Sequence, residues 1–145
     1  QALLAQLNAL PFYAVSGAKS LGRESIDQVF IPLLDQAGLS PKDCLRTLVE
    51  HFAIQIAALI RTHASKATPS VLLTGGGAYN RYFVERLDHH LNQNWVQVEA
   101  SKELIEFKEA LIFAFLGVLK LRAEANALAS VTGAARDSSG GIVFG

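Results

Sequence analysis

The chain is poor in several residue types: among its 145 residues there is no methionine, one cysteine and one tryptophan. A single cysteine excludes an internal disulfide and is typical of a reducing compartment. The 13 basic and 13 acidic residues cancel, so no excess of charge points to nucleic acid or to an anionic membrane. No apolar run approaches the ~18 residues of a membrane span. We therefore predict a cytoplasmic protein without nucleic-acid or membrane partners.

Half of the residues are apolar, which is enough for one domain with a core of its own. The first residue is Gln1, and methionine occurs nowhere in the sequence. We therefore expect the sequence to begin inside a longer protein, so the lack of a signal peptide carries no weight.

Apolar residues recur at helical spacing through the first third of the chain. Leucines at positions 3, 4, 7 and 10 predict a short helix that Pro11 ends. A loop of small and polar residues follows over 14–22. In the next predicted helix Pro32 should cause a kink or a restart.

The third predicted helix has the clearest beginning. Ser40 is placed as its N-cap, Pro41 as its first residue and Asp43 in the capping-box position. Because apolar residues occupy most of its circumference, we expect this helix to be central and largely covered. They include Leu45, Leu48, Val49, Phe52, Ile56, Leu59 and Ile60.

An apolar run over 71–74 predicts a strand that stops in three glycines, Gly75, Gly76 and Gly77, and is followed by a helix from Ala78 to about residue 91. Residues without a Cβ let the backbone pass close to a ligand, and a helix N-terminus offers unpaired N–H groups. This pattern indicates a nucleotide or phosphate site. The alternative is a turn that only changes the direction of the chain.

A second strand is predicted over 95–98, and Ser101 is placed to cap a last long helix that ends near residue 123. Strand, glycine loop, helix, strand and helix form a βαβα unit, whose strands should be parallel. Ligands of such units lie at the carboxyl ends of the strands. The predicted fold class is therefore α/β with short parallel strands flanked by dominant helices.

Other residues with reactive side chains do not form a recognisable site. His89 and His90 are adjacent on a helix and point in different directions, whereas His51 and His63 lie twelve residues apart. Neither pair predicts a metal site. Cys44 has no evident base partner and is not expected to be a nucleophile.

Four segments together resemble the C-terminal part of the anhydro-N-acetylmuramic acid kinase family. They are residues 19–24 (KSLGRE), 74–80 (TGGGAYN), 109–116 (EALIFAFL) and 130–134 (SVTGA). The resemblance implies an actin-like (ribonuclease H-like) ATPase fold. Residues 1–145 would be a single partial domain, the C-terminal nucleotide-binding lobe of a larger kinase whose N-terminal lobe is absent.

The activity implied by the resemblance is ATP-dependent phosphorylation of 1,6-anhydro-N-acetylmuramate, with Mg and ATP as cofactors. Water opens the anhydro ring and N-acetylmuramate 6-phosphate results, as a step of cell-wall recycling. The aspartate that serves as general base would precede this segment, so we predict no catalytic residue here and an inactive fragment. The alternative is a nonenzymatic actin-like ATPase module, chaperone-like or regulatory, that uses the nucleotide as a switch.

The resemblance also implies site residues. The backbone at Gly75, Gly76, Gly77 and Asn80 would face the nucleotide. The residues Lys19, Ser20 and Arg23 would pack on its adenine, ribose or phosphate, although from the sequence alone a solvated loop is favoured for them.

Glu109 would accept hydrogen bonds from sugar hydroxyls, whereas the pattern alone favours a solvated position. The family usually has an Asp three residues earlier, where this chain has Glu106. The substrate is therefore less firmly implied than the nucleotide.

The resemblance further implies that a three-strand meander of the lobe is missing, which leaves a sheet edge open. We expect the missing lobe to be a partner of this edge, and a homodimer is a further arrangement left open.

Overall fold

The computed structural model describes residues 1–17 and 19–144, in which helices dominate. A π-helical stretch, Ile26–Phe30, joins α3 to α4, and a 3-10 turn, Gly76–Tyr79, precedes α6. The α-helices are α1 Ala2–Asn8, α2 Pro11–Ala14, α3 Arg23–Ser25, α4 Ile31–Gln36, α5 Pro41–His63, α6 Arg81–His90, α7 Lys102–Leu121 and α8 Ala129–Thr132.

Two strands, β1 Ser70–Leu72 and β2 Val96–Val98, form a parallel pair. Ser70 lies opposite Val96, and Leu72 lies opposite Val98. The prediction of a helix-dominated α/β chain with short parallel strands is confirmed.

Two prolines act differently from simple helix breakers. The prediction that Pro11 only ends a helix is wrong: Pro11 is the first residue of α2, where its missing N–H is not needed. Pro32 lies just after the π-helical stretch, in the first turn of α4. Since Pro32 cannot donate to the carbonyl four residues before it, the wider π-type turn adjusts the helix at this point.

Helix α5 begins as predicted, because Ser40 Oγ accepts a hydrogen bond of 3.2 Å from the Asp43 N–H. Its predicted coverage is only partly correct. The helix buries His51, Ala53 and Ala57, whereas Leu45 is 64% and Leu59 56% exposed. The described part of the chain therefore covers one side of α5 and leaves the other open.

The core consists of two clusters, one at each end of α5. The first contains Leu3, Leu7 and Phe30, and Leu48 of α5 packs against it. The second joins Ala57 of α5 to Leu87 and Leu91. Helix α5 therefore connects the amino-terminal helices to the β1-α6-β2 unit.

Helix α7 begins at the predicted cap, where Ser101 Oγ accepts from the Leu104 N–H at 3.2 Å. None of its residues is buried. Leu111 is 63% and Phe115 59% exposed. The described residues therefore leave an apolar stripe of α7 uncovered.

Over residues 1–17 and 19–144, no helix combines the length and the apolar character that crossing a membrane requires.

Candidate functional site

The glycine loop, residues 75–77, follows β1 and turns the chain away from the carboxyl end of the strand. Gly75 has φ 75° and ψ 179°, a conformation that is essentially restricted to glycine. Its N–H donates to the Ile105 carbonyl of α7 at 3.2 Å, and its own carbonyl accepts from the Ala78 N–H at 3.0 Å. The loop is thereby fixed to the first turn of α7.

The structure differs from the prediction of a helix that begins at Ala78. A 3-10 turn fills this position, and Asn80 is the N-cap of α6 rather than part of its first turn. The Asn80 Oδ1 accepts from the Phe83 N–H at 3.1 Å. A side-chain oxygen can replace the missing backbone acceptor at a helix start, so Asn80 ends the loop and begins the helix.

The space beside the glycine loop is open. A Cβ built at Gly76 or Gly77 would meet no atom within 4 Å, and the same is true at Gly75. Gly75 has a conformational reason to be glycine, but no atom of the described chain explains Gly76 and Gly77. The open space leaves room for a ligand close to the loop backbone.

One cleft, which we call the glutamate cleft, lies between the glycine loop and α7 and has a volume of about 330 Å³. Gly75 and Gly76 line it together with Glu106 and Glu109. The predicted substrate residue Glu109 and the predicted nucleotide loop therefore share one cleft. Its lining is Gly75, Gly76, Tyr79, Ile105, Glu106, Lys108 and Glu109.

Tyr79 in this cleft was missed by the sequence analysis. Its hydroxyl donates to Glu106 Oε1 at 3.4 Å. Partial desolvation and the neighbouring Glu106 carboxylate raise the pKa of Tyr79. Only its place inside the glycine-loop segment could have pointed to this residue, because its partner comes 27 residues later.

On its other side the glycine loop borders a second cleft of about 520 Å³, the apolar cleft. Gly77 and Asn80 form one wall, and Phe52 and Ile56 of α5 belong to the other. The lining is mostly apolar and includes Val49, Phe52, Ile56, Leu72, Leu73, Thr74, Gly77, Ala78, Asn80 and Phe83. Such a surface suits a flat apolar group with few polar edges.

The basic segment, residues 19–23, makes local contacts. Lys19 Nζ donates to the carbonyls of Phe12 at 2.9 Å and Val15 at 3.0 Å. Arg23 Nε lies 3.0 Å from the Asp27 carboxylate, and Ser20 is exposed. Neither cleft beside the glycine loop is lined by a residue of this segment.

A buried histidine forms a second feature that the sequence analysis did not find. His51 is fully buried; its Nδ1 lies 2.7 Å from Asn8 Oδ1 and its Nε2 lies 2.6 Å from the Tyr13 hydroxyl. Burial lowers the pKa of His51 and raises the pKa of Tyr13. The sequence signal for this burial was the position of His51 three residues after Leu48, on the inward face of α5.

No group of three or more His, Cys, Asp or Glu side chains within the described ranges is arranged to hold a metal ion. Cys44 is half-buried and forms no disulfide. Its Sγ lies 4.0 Å from the Leu39 carbonyl.

Parallel strands joined through a helix, with a glycine loop at the carboxyl end of the first strand, define an α/β protein of the kind that binds ligands at such a loop. The model of the family described as anhydro-N-acetylmuramic acid kinase matches residues 1–145. The chain therefore belongs to this family.

Curated relatives carry the same description. A protein named anhydro-N-acetylmuramic acid kinase from Vibrio parahaemolyticus is 35% identical over 146 residues, which are 99% of this chain and 40% of that protein. The protein of the same name from Variovorax paradoxus is 37% identical, over 99% of this chain and 38% of its own length. The chain spans about 40% of the length of the curated relatives it matches.

Proposed function

We propose that this chain is the nucleotide-binding, C-terminal lobe of an actin-like sugar kinase that acts on 1,6-anhydro-N-acetylmuramate. The observation that carries the proposal is the family match along the entire chain. In the proposed reaction the γ-phosphoryl group of ATP passes to the 6-oxygen while water opens the anhydro bridge. The products are ADP and N-acetylmuramate 6-phosphate.

The nucleotide side of the proposed site is the glycine loop with Asn80. Its backbone N–H groups would face phosphate or ribose oxygens, and the open space at Gly76 fits a ligand in close contact. Mg²⁺ would be held mainly through the phosphates, since the described residues form no group of three or more His, Cys, Asp or Glu side chains that could hold a metal ion. The metal would supply charge neutralisation on the phosphates.

The sugar side of the proposed site is the glutamate cleft. Glu109 and Glu106 line it opposite Gly75 and Gly76, and carboxylates accept hydrogen bonds from sugar hydroxyls. This arrangement would bring the acceptor sugar next to the phosphate side of the loop. We place the general base and the first phosphate loop outside this chain, so that the chain alone would be inactive.

Lys19, Ser20 and Arg23 would contribute to the proposed nucleotide site from the basic segment, which lines neither of the two clefts beside the glycine loop. Arg23 and Ser20 are exposed, and a guanidinium can stack on a base. Lys19 would anchor the segment through its contacts to the carbonyls at the end of α2.

The proposed partner of this chain is the rest of a cytoplasmic kinase. The chain spans about 40% of its relatives' length, and α7 exposes large apolar residues such as Phe107, Phe113 and Leu121. Residues 110–119 of α7 carry no charged side chain, and a helical segment that is apolar on all sides is normally buried. We propose that the N-terminal lobe and the missing strands cover it.

The test is an assay of the full-length protein that contains this chain, with ATP and the anhydro sugar. Phosphorylated amino sugar formed in step with ADP is the expected result, and Glu109→Gln should raise the KM for the sugar more than that for ATP. Lys108→Gln, a neighbour in the same cleft, serves as the matched charge control. Hydrolysis of ATP without a phosphorylated sugar would favour the nonenzymatic module instead.

A further inference from the structure

A chain of short hydrogen bonds connects three helices through His51. The ring contacts Asn8 of α1 at 2.7 Å and Tyr13 of α2 at 2.6 Å, and Gln55 Nε2 donates to the same Asn8 Oδ1 at 3.0 Å. When Nδ1 carries the proton and donates to Asn8, Nε2 is left to accept from the Tyr13 hydroxyl. The neutral ring therefore satisfies both neighbours.

Helix α2 depends on this contact for its position. It has four residues and none of them is buried, and such a short helix is not stable on its own. Tyr13 is half-buried, and its ring meets the His51 ring edge-on at 5.1 Å between centroids. The contact of Tyr13 with His51 therefore connects α2 to α5 through both a hydrogen bond and ring packing.

The carboxyl end of α2 in turn holds the basic segment. Lys19 Nζ donates to the Phe12 and Val15 carbonyls and lies 4.8 Å above the Phe12 ring. Phe12 packs edge-on against Tyr13 with 5.3 Å between ring centroids. A displacement of Tyr13 would therefore move the anchor of residues 19–23.

Phe52, which follows His51 in α5, lies beside the glycine loop, the other part of the proposed nucleotide site. Phe52 lines the apolar cleft together with Gly77 and Asn80. Consecutive residues of one rigid helix thus contact the support of the basic segment and the wall beside the glycine loop. Helix α5 can fix the spacing between these two segments.

We propose that His51, acting through Tyr13, is a positioning residue that sets the basic segment relative to the glycine loop for nucleotide binding. The inference rests on the proposed nucleotide site and extends it to residues that touch no ligand. A small misplacement of a binding group can cost up to about a hundredfold in efficiency, so loss of the Tyr13 hydroxyl should be visible in kinetics.

The experiment compares Tyr13→Phe with Trp95→Phe in the full-length enzyme. Tyr13→Phe deletes one side-chain donor from a half-buried aromatic residue. Trp95→Phe deletes one donor together with part of the ring; the Trp95 Nε1 donates to Asp88 at 2.8 Å, and Trp95 packs against the other core cluster. We expect Tyr13→Phe to raise the KM for ATP about tenfold, with kcat and the KM for the sugar nearly unchanged. Trp95→Phe should leave all three nearly unchanged.

His51→Gln and His51→Leu extend the comparison. Gln retains a donor and an acceptor, so its KM for ATP should lie between those of wild type and His51→Leu. Equal KM values for ATP in wild type and Tyr13→Phe, or the same increase in Trp95→Phe, would overturn the inference.

Hydrogen exchange separates failure of this inference from failure of the proposed function. Without any nucleotide, Tyr13→Phe should speed amide exchange in residues 12–14 of α2 about tenfold and leave residues 75–80 unchanged. If the wild type binds no nucleotide, the proposed function fails, and the exchange data still decide the positioning of α2, which anchors the basic segment. Unchanged exchange over 12–14 would overturn the inference whatever the activity.

Discussion

Gly75 and Gly76 are neighbours, but only Gly75 has a conformational reason to be glycine. Gly75 holds φ 75° with an extended ψ of 179°, which a residue with a Cβ adopts only under strain. Gly76 faces open space, since a Cβ there would meet no atom within 4 Å. The chain's own stability therefore explains the first glycine, whereas no described atom explains the second and the proposed nucleotide would.

Substitution of the two glycines should separate stability from binding. Gly75→Ala is expected to lower the free energy of unfolding by about 1–3 kcal/mol because of backbone strain. Gly76→Ala should change it by no more than about 0.5 kcal/mol. Gly76→Val should leave the fold intact but abolish nucleotide binding, because the side chain would fill the proposed ligand's space. Urea denaturation and calorimetric titration with ATP measure the two effects, and unchanged affinity in Gly76→Val would refute the assignment.

At the same scale, the sequence identified the glycine loop but not the side chains that face it. The loop is a local pattern of strand, glycines and helix, so it is readable from adjacent residues. Tyr79 and Glu106 meet across 27 positions of the chain, and no local pattern encodes such a contact. Glu109 entered the prediction only through a family resemblance.

Helices α5 and α6 are joined by a partly buried charged group. The Arg86 guanidinium donates two hydrogen bonds to Glu50, through Nε to Oε2 and through Nη2 to Oε1. His90 Nε2 lies 2.8 Å from the same Glu50 Oε1. The side chains of Glu50 and Arg86 are only 19% and 23% exposed, so each one relies on the other for compensation of its charge.

Glu50→Gln is expected to lower the free energy of unfolding by about 1–3 kcal/mol, because Arg86 would lose its charged acceptor. The exposed pair Arg23–Asp27, whose side chains are 83% and 51% exposed, is the control. Asp27→Asn should cost only about 0.3 kcal/mol. Urea denaturation near neutral pH compares the two variants, and equal effects would show that burial of the Glu50 pair adds nothing.

The same pair predicts a pH dependence. The hydrogen bond from Arg86 holds the pKa of Glu50 below its ordinary value of 4.5. A carboxylate with a lowered pKa in the folded state contributes its full stabilisation above the unfolded value and loses it as pH falls through the folded value. The difference in unfolding free energy between wild type and Glu50→Gln, measured by urea denaturation, should therefore shrink as the pH falls below about 5.5.

The helix boundaries show which local sequence signals were sufficient to predict where a helix begins or ends. Ser40 and Ser101 were correctly predicted as caps, since a side chain that accepts from an N–H three residues later is a local arrangement. Pro11 was misread, because a proline can begin a helix as well as end one. The π-helical stretch before Pro32 was foreseen only as an irregularity.

On the scale of the whole molecule, α7 presents an exposed apolar surface. Its residues Phe107, Leu111 and Phe115 follow each other at intervals of four and are 61%, 63% and 59% exposed. Single exposed apolar residues are ordinary, but a continuous stripe marks an interaction surface. The proposed cover is the remainder of the kinase.

Leu111→Ser together with Phe115→Ser should have opposite effects in two contexts. In residues 1–145 alone, the double variant should reduce self-association and binding of an apolar dye, because it removes exposed apolar area. In the full-length protein it should lower the free energy of unfolding by several kcal/mol, about 2–5 for each truncated large side chain. Ala110→Ser on the same helix is the control. An unchanged free energy of unfolding of the full-length double variant would contradict the proposal that the rest of the protein covers α7.

The sequence by itself determined the order of the long helices and the two strands, the caps of α5 and α7 and the position of the glycine loop. These features depend on residues within a few positions of one another, where backbone propensity and local hydrogen bonds decide. Only the tertiary structure decided that His51 joins α5 to Tyr13, that Glu109 shares a cleft with Gly76, and that α7 is open. Contacts and exposure of this kind depend on which distant surfaces meet, and over the exposed stripe of α7 the described residues supply none.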